Sequence, residues 1–190
     1  SAPNGKSEDS TYGLLSAGTY YLRVWDTAVG AGGTGEFAVC VSDVISPPAN
    51  DDPASAVSLT PGLTCAATSS VLPASMGATA TTGVQVCGAG GAGPGTPDDD
   101  QWFKFTTAAD SGIRYNIRVV GVTSYNPVVQ LYRGTPGASN SITCVNATAN
   151  GGTETISTTL LPASTDIYVR VYHFGTGASN GNFSICVFAD

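Results

Sequence analysis

The sequence predicts an all-β protein, a jelly-roll-like antiparallel β-sandwich, and three observations carry that prediction. Helix formers are scarce: the 190 residues hold one Met and two Lys, and Glu is rare. Apolar runs are short, regularly spaced and separated by Gly-rich turns. No stretch carries the 3.6-residue periodicity of an amphipathic helix.

The first forty-odd residues have a counterpart near the C-terminus. Tyr21-Leu22-Arg23-Val24-Trp25 returns as Tyr168-Val169-Arg170-Val171-Tyr172. Gly35-Glu36-Phe37-Ala38-Val39-Cys40-Val41 returns as Gly181-Asn182-Phe183-Ser184-Ile185-Cys186-Val187. The offset is 146, slipping to 147 around Tyr168. The expected organisation is one complete module preceded by the C-terminal third of another, as in a tandem array. Residues 1–43 are that third and should contribute roughly four strands, too few to be stable alone. Residues 44–53, with Pro47-Pro48 and Asn50-Asp51-Asp52, read as a semi-rigid linker. Residues 54–190 are the complete module.

Within the module, nine strands are expected in order: 56–60, 77–81, 101–106, 113–120, 128–132, 141–145, 155–160, 166–172 and 182–188. The fourth alternates most clearly, with Ile113, Tyr115, Ile117 and Val119 on one face and Arg114, Asn116 and Arg118 on the other. Trp102, Phe103 and Phe105 read as core, and Gly88 to Gly95 as an exposed loop.

Charge narrows the function. A net charge of −7 argues against a nucleic-acid partner, which needs clustered Lys and Arg. No apolar run approaches the roughly 18–20 residues of a membrane span. Five cysteines without a CxxC pair suggest disulfides in an oxidising, extracellular setting. If Cys144 pairs with Cys186, then Cys65 pairs with Cys87, although four cysteines allow three connectivities. Cys40, the counterpart of Cys186, is then unpaired or joined to a neighbouring module, its partner being expected about three residues before Ser1.

Pro47-Pro48-Ala49-Asn50-Asp51-Asp52, Asp100-Gln101-Trp102-Phe103-Lys104-Phe105, and the two C-terminal strand motifs together resemble one type of module. It is similar to the repeated β-sandwich modules of secreted surface proteins of the Bacteroidetes, related to the bacterial pre-peptidase C-terminal domain. The resemblance spans 47–190, with 4–43 as a module's last third. It implies a secreted location and a calcium-binding habit, and little about function.

Several residues are candidates for chemistry. Asp98, Asp99 and Asp100 at a strand entrance could supply oxygen ligands to Ca²⁺, as could Asn50, Asp51 and Asp52 at the junction. The bland alternative is a solvated acidic turn. His173 is the sole histidine, without a partner for zinc or a catalytic triad, and reads as a loop polar group. Tyr20, Tyr21, Trp25, Tyr168 and Tyr172 could form a sugar-stacking face, though alternation makes one of their faces core. Arg23 and Arg170, each between aromatics, suit a cation–π stack or a salt bridge to Asp. Asp26-Thr27-Ala28 resembles the O-glycosylation motif of Bacteroidetes secreted proteins, which makes Thr27 a candidate for modification. The leading expectation is a non-enzymatic structural repeat of an extracellular surface protein: an adhesin, stalk or filament subunit. It would associate with itself or with neighbouring repeats. The alternative is an accessory domain of a secreted hydrolase that binds carbohydrate, with surface glycans as partners.

Overall fold

A computed structural model describes residues 19–25, 36–41, 47–65, 77–87, 95–122, 124–176 and 182–190, together with the backbone of 70–73. The chain divides into two compact units, Ser1–Ser42 and Asp43–Asp190. In the first, residues 19–25 and 36–41 are exposed and form no strand, contrary to the expectation for that segment. A strand needs a neighbour to satisfy its backbone and a layer to bury its apolar side, and neither is present among these residues.

The second unit is a β-sandwich. Its strands are β1 (Val57–Ser58), β2 (Ser70–Pro73), β3 (Gln101–Thr106), β4 (Tyr115–Gly121), β5 (Pro127–Arg133), β6 (Ser141–Val145), β7 (Thr153–Thr158), β8 (Asp166–His173) and β9 (Asn182–Ala189). One sheet has the order β1-β3-β8-β5-β6 and the other β2-β9-β4-β7. Without β1, which adds in parallel to β3, these are the two interleaved four-stranded sheets of a jelly roll. The two C-terminal strands hold the middle positions: β8 lies between β3 and β5, and β9 between β2 and β4.

The core lies between the sheets. Phe103, Phe105, Val129, Leu131, Ile167, Val169 and Val171 from the first sheet meet Tyr115, Ile117, Val119, Phe183, Ile185 and Val187 from the second. Alternation therefore predicted the inward face of β4 correctly. Asn116, on its other face, is nevertheless buried, donating to Asp190 Oδ1 at 3.0 Å and accepting from Ser157 Oγ at 2.6 Å.

Three expectations need correction. Residues 77–81 form no strand, because Thr79 and Thr81 turn their N–H groups to side chains. Strand β2 was not foreseen. The disulfides are Cys65–Cys186 and Cys87–Cys144, not Cys65–Cys87 and Cys144–Cys186. Cys144 lies on β6 and Cys186 on β9, and those strands belong to opposite sheets, about 10 Å apart. Cys40 is exposed and unbonded. Since Cys186 bonds Cys65, the repeat relates the partner of Cys40 to Cys65 and not to Cys144.

Candidate functional site

The central strands of the first sheet, β3, β8 and β5, are largely buried on both faces, and the outer face of that sheet holds the site. On β5 six of seven residues are buried, because one side meets the core and the other is covered by residues 79–87. Gln130 Nε2 and the Tyr132 hydroxyl both donate to Gln85 O, and Gln130 Nε2 also reaches Ser141 Oγ at 2.9 Å. Cys87, Val128 and Tyr172 form a small apolar cluster there, with Cys144 against it. The Cys87–Cys144 bond fastens the covering segment to β6.

At the centre is Arg170 of β8, in register with Trp102 of β3 and Gln130 of β5. Its Nε and Nη2 each lie 3.0 Å from Asp100 Oδ2. Its guanidinium is 5.4 Å from the ring centroid of Trp102 and 5.4 Å from that of Tyr172. The pair is 1% and 0% exposed, which explains why it needs this enclosure: a buried charge must have its counter-charge and donors satisfied. Burial pushes the Asp100 carboxyl above its ordinary value, and the Arg170 guanidinium and the Thr81 donors oppose that rise. Burial likewise raises the Tyr132 and Tyr172 hydroxyls.

The two acidic candidates meet here. The Thr81 N–H reaches Asp100 Oδ2 at 3.2 Å, and Trp102 Nε1 donates to Thr81 Oγ1 at 2.8 Å. Thr81 Oγ1 lies 3.4 Å from Asp51 O, and Asp51 accepts from Thr79 N at 2.6 Å and Thr79 Oγ1 at 2.7 Å. Asn50 exchanges two bonds with Trp102, its Nδ2 donating to Trp102 O at 3.1 Å and its O accepting from Trp102 N at 2.8 Å. Asp99 Oδ1 accepts from the His173 N–H at 3.0 Å. Gly95, with φ of 63°, lets the chain reach this corner: a Cβ there would lie 2.7 Å from Phe174 O. Asp98 is half-buried beside it, and Asp52 is exposed at the start of a short 3₁₀ turn, Pro53–Ser55. Among the described residues, no three His, Cys, Asp or Glu side chains are grouped so as to hold a metal ion.

Other candidates fall elsewhere. His173 ends β8, with Nδ1 accepting from Asn126 N at 3.0 Å and its ring 5.3 Å from that of Tyr125. Tyr172 is fully buried and offers no face to a sugar, whereas Tyr168 is half-buried with Lys104 Nζ 5.9 Å from its ring. Tyr21 and Trp25 are exposed, and Arg23 lies 5.6 Å over the Trp25 ring. Thr27 lies outside the described residues. The cation–π and ion-pair reading of Arg170 was legible in the sequence. Glu154 was missed: it is fully buried and accepts from Ala147 N at 2.9 Å, Thr148 N at 2.7 Å and Thr148 Oγ1 at 2.7 Å. Its recurrence as Glu8 in the other copy was the available signal.

No family model matches the chain, and no curated protein does. Among solved structures, a pre-peptidase C-terminal domain of a collagenase from Bacillus anthracis aligns at 17% identity. The alignment covers 46% of this chain and 75% of that one, with a TM-score of 0.34. The sandwich therefore rests on the strand orders given above.

The site is closed. Trp102, Asp100 and Arg170 are buried and present almost no surface to a substrate: Arg170 bonds Asp100, and Asp100 and Trp102 both bond Thr81. Such an arrangement can hold layers in place. An open hollow lined by Pro61, Leu63, Ile113, Tyr115 and Ala189 is mostly apolar, and the Tyr115 hydroxyl there accepts from Ala108 N at 2.7 Å.

Proposed function

We propose that the chain is a non-enzymatic structural repeat of an extracellular surface protein, which assembles through packing between β-sandwiches. The observation that carries this reading is the Arg170–Asp100 enclosure: this polar cluster is sealed, and its bonds join the strands and their cover. Two disulfides favour an oxidising compartment. The duplicated strand motifs favour a tandem or filamentous arrangement, as in the Bacteroidetes surface modules that the sequence resembles.

Negative-stain electron microscopy of the purified chain, with sedimentation over a concentration series, tests this. Rods with a regular repeat, or association growing with concentration, are the expected result. A monodisperse monomer at every concentration would count against assembly.

A second reading is a glycan-binding accessory domain, favoured by the exposure of Tyr21 and Trp25. It requires saturable polysaccharide binding that is lost in Trp25→Ala.

A further inference from the structure

The two sheets end on the edge strands β1, β6, β2 and β7, and the first three are blunted. β1 is two residues long, and β2 stops after four residues at Pro73. The ladder of β6 with β5 shifts register at Leu131/Tyr132, and Cys144 of β6 is bonded to the covering segment. Short edges, proline, bulges and covers are the means by which a sheet refuses another strand. β7 is built otherwise. It runs six residues, Thr153–Thr158, without Pro or Lys, and its register with β4 is unbroken. Its one charge, Glu154, is buried and bonded to Ala147 and Thr148.

The ladder shows which backbone groups this edge presents. Gly121 N donates to Gly152 O at 2.9 Å, one step beyond the pairing of Val120 with Thr153. Bonded pairs recur at every second residue of an antiparallel ladder, so Glu154, Ile156 and Thr158 turn their N–H and C=O towards β4. Thr153, Thr155 and Ser157 turn theirs away. Among the described residues, no strand pairs with that side of β7, and no backbone hydrogen bond outside the ladders engages those three. Thr155 and Ser157 are exposed and short, which lets another backbone approach.

We infer that β7 pairs antiparallel with β7 of a second copy of the chain about a two-fold axis, extending the second sheet across both molecules. The inference rests on the assembly reading above and names one of its surfaces. The outward groups select the register: Thr155 stands opposite its own copy, and Thr153 opposite Ser157 in both directions. Each such pair exchanges two backbone hydrogen bonds, and the Thr–Thr and Thr–Ser neighbours on the outer face add to them. In this register the edge is complementary to itself, which is the ground for a second copy over an unrelated strand. Leu160, 81% exposed, follows the strand, so the axis sets one such leucine at each end of the junction. Arg118 of β4 is exposed beside Thr155. Its copy lies three strand spacings away, about 14 Å, which exceeds the screening length of about 10 Å at 0.1 M salt. The two guanidinium groups therefore do not oppose the pairing. A two-fold contact closes on itself, so β7 alone gives dimers, and rods need a further contact.

Thr155→Lys and Thr155→Asp test this in the full chain. Each places like charges directly opposite across the axis, where they destabilise pairing, and a thermal melt reads whether each variant folds. Sedimentation over a concentration series should show a dimer for the unaltered chain and a dissociation constant at least tenfold weaker for either variant alone. An equimolar mixture of the two sets lysine opposite aspartate and should restore the dimer. A dimer indifferent to both substitutions, or a mixture no tighter than either variant alone, overturns the inference.

Thr155→Cys gives a reading that does not depend on charge. Across the axis the two Cα atoms would stand about 5.5 Å apart, within reach of a disulfide. Oxidation by glutathione should link two chains at that position in peptide maps, and the absence of this link counts against the pairing. Rods that persist in Thr155→Lys would retain the assembly reading and overturn this one. Dimers of the unaltered chain without rods would retain this inference and remove the filament. A monomer at every concentration would remove both.

Discussion

Asp100 and Arg170 illustrate how one residue's cost is set by another. With both atoms of contact at 3.0 Å and no exposure, removing the carboxylate strands a buried guanidinium. Asp100→Asn should lower stability by about 3–5 kcal/mol, read from denaturant unfolding. Asp100→Asn with Arg170→Met should lose less than Asp100→Asn alone, because no buried charge is left without a partner. His173 provides a pH dependence. Burial holds its pKa below the ordinary value of 6.5, and the Asn126 N–H donated to Nδ1 requires the neutral ring. The unfolded chain thus binds a proton more readily than the folded one. This contribution to stability is present above about pH 6.5 and shrinks as the pH falls below it. Denaturation midpoints at pH 7.5 and 5 should show a loss at pH 5 that His173→Asn reduces. The acids face a similar test. Asp51, Asp99 and Asp100 accept from protein donors, so exchange from calcium into a chelator is expected to leave the melting temperature unchanged.

At the level of elements, eight of the nine strands were legible, β2 was not, and residues 77–81 were wrongly assigned a strand, for a physical reason. β3 to β9 alternate or carry aromatic and β-branched runs, and each is bonded on at least one side by another such run. Residues 77–81 have the composition of a strand, with Thr79 and Thr81 alternating. Their donors, however, are claimed by Asp51 and Asp100, carboxylates 28 and 19 residues away in sequence. Local pattern contains no record of such partners. The same holds for the disulfides: which cysteines meet depends on sheet order, and sheet order follows from non-local pairing. The acidic residues were singled out as calcium candidates, and the partner of one of them, Asp100, is Arg170, which lies 70 residues on. The turn between β6 and β7 carries its own prediction. Glu154 satisfies the N–H groups of Ala147 and Thr148, so Glu154→Ala leaves two donors without that acceptor. A loss on the order of 2–4 kcal/mol is expected by chemical denaturation.

At the level of the molecule, stability depends on closing long loops, because the middle strand of each sheet comes last in the chain. The flanking strands β3 and β5 share no ladder until β8 enters, and β2 and β4 none until β9 enters. Two covalent bonds limit the entropy that such closure consumes. Cys87–Cys144 spans 57 residues and fastens the cover of the outer face, whereas Cys65–Cys186 spans 121 and ties the start of the module to β9. On loop entropy alone, removing the shorter should cost about 4 kcal/mol and removing the longer about 5 kcal/mol. Position argues the other way. Loss of Cys87–Cys144 also loosens residues 79–87, which cover Arg170, Gln130 and Tyr132. Cys87→Ser with Cys144→Ser should therefore destabilise at least as much as Cys65→Ser with Cys186→Ser. Guanidinium midpoints of the two double variants would decide between them. A clearly smaller loss for the Cys87 and Cys144 pair would mean that the cover is held by its hydrogen bonds, with loop length governing the rest.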